Sequence, residues 1–111
     1  MRTSHLAHQV TYCRSGDLVE VAATVGKTTF EIDSGYGAIE KFESRDFLIS
    51  TDVLILGGEI ILPQSGDRIK ETIGQQIIVY EVMAPAKEPC WRYSDPYRIT
   101  LRIHSKQIAV E

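Results

Sequence analysis

Pro63-Gln64-Ser65-Gly66-Asp67, followed beyond Ile73-Gly74-Gln75 by Ile77-Ile78-Val79-Tyr80-Glu81-Val82, decides how this chain folds. Proline presets φ for a turn, glycine accepts φ > 0, and aspartate bonds its own backbone two residues on, so the pentapeptide is a turn with a mechanism. The run to Val82 is β-branched and aromatic, and Gly74 breaks it from what precedes. The stretch reads as a hairpin of a small barrel or sandwich, with Pro63, Gly66 and Asp67 as its structural turn residues.

Working outward, the period stays at two residues. Val19, Val21, Ala23 and Val25 share one face of an extended segment, and Thr28, Phe30 and Ile32 share a face against Lys27, Thr29, Glu31 and Asp33. Gly26 between these segments suits a tight reversal or a bulge. Asp33-Ser34-Gly35-Tyr36-Gly37 is a glycine-rich loop with an aromatic tip. Ala38 to Ser50 reads as an extended segment with an irregular start, and Leu54 to Gly58 as a connection into Glu59-Ile60-Ile61-Leu62. Near the C-terminus, Ile99, Leu101 and Ile103 point one way while Arg98, Thr100, Arg102, His104 and Lys106 point the other. One face is then core and the other a cationic row. That row is read either as a solvated strand face or as a contact surface for an acidic neighbour. Ile78, Tyr80, Val82, Ile99, Leu101 and Ile103 are expected to share one core.

Five or six strands, short turn spacing and no βαβ alternation give an all-β class: a small antiparallel β-barrel or sandwich with long loops. At 111 residues the chain is read as a single barrel domain over 1–111 with a flexible N-terminal segment over 1–8. A composition 43% hydrophobic and 24% charged is globular, and the apolar runs are far shorter than a membrane span. No apolar core of signal-peptide length follows the N-terminus, so a cytoplasmic site of assembly is expected, with Cys13 and Cys90 as free thiols. A formal charge of −3 does not favour a nucleic-acid binder driven by an overall positive field. Mixed surface charge and the lack of a long apolar run point to a monomer or weak oligomer that assembles on a partner.

No residue pattern calls for catalysis, a cofactor or a metal. Gly26-Lys27-Thr28 echoes the end of a phosphate-binding loop, but Val21 stands where the motif needs glycine, and a strand follows instead of a helix. His5, His8, Cys13 and Cys90 lack paired zinc-ligand spacing. Cys90 beside Trp91 reads as a small buried hydrophobe, and its pairing with His104 as nucleophile and base lacks an orienting group. The aromatic loop Trp91-Arg92-Tyr93-Ser94-Asp95-Pro96-Tyr97 has two readings. Trp91 and Tyr97 close one end of the barrel, or Trp91, Tyr93 and Tyr97 stack bases beside the Arg98 to Lys106 row, as in a monomeric OB-like single-strand-binding module.

Glu43-Ser44-Arg45-Asp46-Phe47-Leu48-Ile49, Pro63 to Ile69, Tyr80-Glu81-Val82 and Arg102-Ile103-His104-Ser105-Lys106 together resemble small tailed-phage and prophage proteins of the head-tail joining, head-completion or stopper type. The resemblance spans roughly Glu43 to Lys106, and its turn and strand motifs also occur in phage tail-component barrels. It implies a non-enzymatic barrel that assembles as a ring at the portal vertex, meeting a portal or adaptor protein on one side and tail proteins on the other. Passing contact with double-stranded DNA and closure of the channel by a loop belong to that role, as does a virion-neck location reached from the host cytoplasm. No membrane is involved. On this reading Arg98, Arg102, His104 and Lys106 are subunit or partner contacts, and Asp33, Ser34, Gly35, Tyr36 and Gly37 form a lumen or plug loop.

Overall fold

The computed structural model describes residues 7–33, 35, 37, 39–85 and 88–111. Among the described residues nine strands follow one another: β1 (Ala7–Arg14), β2 (Asp17–Asp33), β3 (Ile39–Ser50), β4 (Ile55–Leu56), β5 (Glu59–Ile60), β6 (Arg68–Ile73), β7 (Gln76–Val82), β8 (Trp91–Tyr93) and β9 (Thr100–Val110). The order β3-β2-β1-β6-β7-β9 closes on itself through a further β3–β9 pairing, and β8 lies beside β9. Every pairing is antiparallel. The class is therefore all-β and the main sheet is a closed six-stranded barrel, which leaves few sheet edges open.

The turns carry the chemistry their geometry needs. Ser15 (φ 51°) and Gly16 (φ 91°) join β1 to β2 in the two-residue pattern with positive φ at both positions. At the turn before β6, Gly66 has φ 97° and the Asp67 N–H bonds the Gln64 carbonyl at 3.1 Å. Gly74 opens the β6–β7 turn between Ile73 and Gln76.

Tyr12, Phe47, Ile49, Ile69, Leu101 and Ile103 fill the barrel with no exposed surface, joined by Val10, Val21, Ala23, Tyr80 and Val82. Each large side chain so buried contributes roughly 1.5–3 kcal/mol. Ile78 is partly buried against this cluster.

Three expectations change. Gly26 is neither reversal nor bulge, because β2 runs unbroken through it in one continuous register with β3, from Thr24 opposite Leu48 to Asp33 opposite Ile39. A β-carbon there would lie 3.6 Å from Arg102 Nη1 and 3.7 Å from Leu48 Cδ1, both ordinary contacts, and the Arg102 guanidinium lies across the strand at this glycine. Ile99 is 55% exposed and precedes β9, outside the alternation that buries Leu101 and Ile103. The stretch from Leu54 to Gly58 is not a plain connection, because Ile55 and Leu56 pair with Ile60 and Glu59 in a small hairpin, β4–β5. At the N-terminus β1 takes up Ala7 and His8, the last positions of the segment expected to be flexible, and positions 1–6 lie outside the described residues.

Candidate interaction surfaces and the buried clamp behind them

The supposed cationic row on β9 separates into three different environments. Leu101 and Ile103 face the core, so Arg102 and His104 face the other side of the sheet, as the period of two requires. That side is not open. His104 is 2% exposed and Asp46, beside it on β3, is fully buried. His104 Nδ1 lies 2.9 Å from Asp46 Oδ1, and Arg102 Nη1 donates to Asp46 Oδ2 at 2.5 Å. The Ser44 hydroxyl donates to Asp46 Oδ1 at 2.5 Å, and the Thr28 hydroxyl donates to Asp46 Oδ2. The Phe30 ring stands edge-on to His104 at 5.3 Å and lies 5.9 Å from Phe42, which shields the cluster. Burial opposes ionisation of Asp46, but the hydrogen bonds from His104, Ser44, Thr28 and Arg102 outweigh it and hold its carboxyl well below the ordinary range.

Arg102 and His104 are thus parts of an internal clamp and not an exposed row, a correction whose cause is the unforeseen acid on β3. Arg98 is not in the strand. It sits at φ 59° in the preceding loop with its guanidinium 5.6 Å from the Tyr93 ring centroid. The Asp95 carboxylate shapes that loop by accepting the N–H groups of Thr100, Ile99 and Tyr97, which lower its pKa. Of the expected contact residues, only Arg98 and Lys106 are exposed.

Ser44, His104 and Asp46 are the residue types of a nucleophilic relay, but the geometry is wrong for one. Ser44 Oγ and Asp46 Oδ1 both approach the same ring nitrogen, at 3.4 and 2.9 Å, whereas a relay uses both nitrogens of the imidazole. Cys90 is buried and free, and its sulfur lies 3.7 Å from the Pro63 carbonyl oxygen, consistent with a small hydrophobe. Among the described residues no group of three or more His, Cys, Asp or Glu is placed to hold a metal ion, and no helix is long and apolar enough to cross a membrane.

The turn residues form a second clamp. Asp67, 5% exposed, accepts the Tyr12 hydroxyl, the Gln64 N–H at 3.0 Å and Arg14 Nη2 at 2.7 Å. Burial opposes its ionisation, but these bonds, Arg14 foremost, lower its pKa. Burial and the bond to Asp67 push the Tyr12 phenol the other way, far above its usual value. Pro63 is buried beside it.

A third ion pair lies on the core side. Arg45 Nη2 meets the buried Glu71 Oε1 at 2.7 Å, with the guanidinium 5.0 Å from the Tyr80 ring centroid. Sequence reading missed Asp46, Arg45 and Glu71 as partners. The adjacent opposite charges Arg45-Asp46 were the available signal, since neighbours on a strand face opposite sides and each needs its own counter-charge.

The outer surfaces are of two kinds. β2 and β3 run together past the last residue that β9 pairs with, Arg45 opposite Ser105, and so form a two-stranded ribbon from the barrel. The supposed plug loop is at the tip of that ribbon. Gly35 (φ 87°) and Gly37 (φ 77°) take positive φ there, Asp33 ends β2, and Ser34 and Tyr36 lie outside the described residues. On the small hairpin, Ile55 and Ile60 lie opposite each other and are 42% and 65% exposed. In the aromatic loop, Trp91 and Tyr93 meet edge-on at 5.0 Å and pack on the core, while Tyr97 is 80% exposed and does not close the barrel end.

The described residues thus form a closed β-barrel with clamped strands and a projecting two-stranded ribbon. Comparison with protein families then gives a match of the phage head-tail joining protein family over residues 1–111, and the chain belongs to that family. It is a structural component of the phage neck that interacts with head and tail components. Comparison with curated proteins and with solved structures finds no match.

Proposed function

We propose that this chain acts without catalysis, as one subunit of a ring that seats on the portal or adaptor of a filled head and presents a docking surface to the tail. The observation that carries this reading is the ribbon: two paired strands held to the barrel by a buried carboxylate, with glycines of positive φ at the tip. A ring requires a heterologous contact that closes, and an arm reaching away from its own barrel supplies one half of such a contact. Residues 33–37 at the tip are the element that reaches the DNA channel and helps to close it. Exposed Lys106 and Arg98 contribute contacts to acidic neighbours, and double-stranded DNA is met only in passing. The single-strand-binding alternative is disfavoured by Trp91 and Tyr93, which face the core and each other and leave Tyr97 without a stacking row.

The test is complementation of a phage lacking this gene, with copy number per particle measured by quantitative mass spectrometry. Several copies per particle, and DNA-filled heads without tails when the gene is absent, are expected. One copy per particle refutes the ring. Replacing residues 33–37 by a two-residue turn should leave joined particles whose DNA escapes or becomes nuclease-sensitive, and unchanged DNA retention refutes the plug assignment.

A further inference from the structure

The ribbon leaves two strand edges open, and their chemistry matches. β3 pairs with β2 from Ile39 to Leu48, but with β9 only from Arg45 to Ser50, so 39–44 have no strand on their second side among the described residues. β9 pairs with β3 only from Thr100 to Ser105, while its other edge follows β7 to Val110, so 106–110 are likewise open on one side. The two edges part after Arg45 opposite Ser105, and beyond that point the β7–β9 ladder shifts register, where Val79 faces Ala109 and Tyr80 faces Gln107, leaving Ile108 as the extra residue. A bulge of this kind bends its strand.

Open edges are usually blunted by proline, by shortness or by inward-pointing charge. None of the four prolines falls in either segment. Exposed apolar side chains sit on both: Ile39 at 63%, Ile108 at 38% and Val110 at 50%. Exposed charges accompany them, Glu40, Lys41 and Glu43 on β3, the last 3.7 Å from Lys27 across the ribbon, and Lys106 on β9. Only an antiparallel approach satisfies both sets. It brings Ile39 to the Ile108–Val110 end while Glu43 meets Lys106, whereas a parallel approach sets the isoleucine against the lysine.

We infer that the β3 edge of one copy adds to the β9 edge of the next, extending that copy's sheet by a strand across the subunit boundary. The occupant is a second copy of this chain, because both complementary edges belong to the same sequence and the ladder that joins them within one barrel stops at Arg45 opposite Ser105. A five-residue antiparallel ladder spans about 16 Å at ~3.3 Å per residue, and its main-chain hydrogen bonds hold the contact while side-chain pairs set its direction. Each subunit then offers one edge and receives another, the head-to-tail pattern that closes a ring. This inference rests on the ring reading above and names its contact.

The experiment co-expresses two full-length chains in a phage lacking the gene, one carrying Glu43→Cys and the other Lys106→Cys, with Ile39→Cys and Val110→Cys as a second pair. Particles are oxidised and run on non-reducing gels. Cross-strand β-carbons lie close enough for a disulfide, so a mixed dimer is expected from at least one pair and none from any single variant alone. With both cysteines on one chain, a ladder ending at the closed ring is expected. Mixed dimers absent from both pairs in particles that hold several copies overturn strand addition and leave the ring standing. A single copy per particle overturns both. A cross-link to a head or tail protein in place of the mixed dimer overturns the second-copy occupant.

Discussion

Replacing Arg102 by glutamate should strongly destabilise this domain, although Lys106→Glu, four residues on in the same strand, should not. Arg102 Nη1 lies 2.5 Å from Asp46 Oδ2, with the arginine side chain 22% exposed and the aspartate fully buried. With charge centres about 4 Å apart and an effective dielectric near 20, the lost attraction is roughly 4 kcal/mol. Partial exposure of Arg102 screens some of this, and a glutamate can turn towards water. Against that, Asp46 stays ionised and buried with Ser44, Thr28 and His104 only. The net cost is about 3–5 kcal/mol, the range for a buried pair that loses one partner. Lys106 is exposed and forms no ion pair among the described residues, so its reversal should cost under about 1 kcal/mol. Thermal unfolding followed by circular dichroism reads the difference: at about 4 °C per kcal/mol, Arg102→Glu should melt roughly 12–20 °C lower. Melting temperatures of the two variants within about 2 °C of each other would refute the clamp.

Three further outcomes follow from the same geometry. Leu101→Ala should cost about 2–5 kcal/mol in urea unfolding and Ile99→Ala less than about 1, because the first is fully buried and the second half exposed; equal losses would contradict the placement of Ile99 outside the strand. The Asp46 and Asp67 carboxyls have folded pKa values below their unfolded ones, so in acid the unfolded chain binds more protons and stability falls with pH. Their contribution is complete above about pH 5 and is lost as pH drops through the folded values, so a urea midpoint unchanged between pH 6 and pH 3 would exclude it. Gly26→Ala should be neutral or stabilising by up to about 1 kcal/mol, since its β-carbon meets only ordinary contacts, while Gly66→Ala at φ 97° should destabilise by about 1 kcal/mol or more; a reversed order of melting temperatures would undo this reading of the two glycines.

The hairpins were legible because their signals are local. Gly66-Asp67 and Gly74 each fix a backbone angle within a few residues, and alternation along Val19 to Val25 and at Leu101 and Ile103 names a core face without any knowledge of the partner strand. β9 shows where locality ends. Its alternation separates Arg102 and His104 from the core correctly, yet an exposed face and a face covered by another part of the chain have the same period. Which one applies depends on Asp46, 56 residues from Arg102 in sequence. Gly26 was misread for a related reason: glycine in a strand signals a bulge, a reversal or a close approach, and only the guanidinium crossing above it distinguishes the last. Ile99 was misplaced because Asp95 gathers three backbone N–H groups and delays the start of β9 by one residue, a capture that the bare order of residues does not reveal.

The buried carboxylate also explains why the ribbon has a direction. β2 and β3 are bound to each other by their own ladder, so bonds between them cannot fix the angle at which they leave the barrel. Among the described residues, contacts with β9 do that at the root of the ribbon, and past Ser105 the β3–β9 ladder stops. Apolar packing of Phe30 and Phe42 is non-directional and would tolerate a pivot. Charge-assisted bonds from Arg102 and His104 are short and directional, and they meet on a single side chain of β3 at the ribbon's root. The cost of burying Asp46 is offset only while all four donors remain in place, so swinging the ribbon would strand an ionised carboxylate away from water. A hairpin that must present its outer edge to a neighbour at a fixed angle needs this kind of root, and the polar residues of β9 supply it by facing inward onto Asp46.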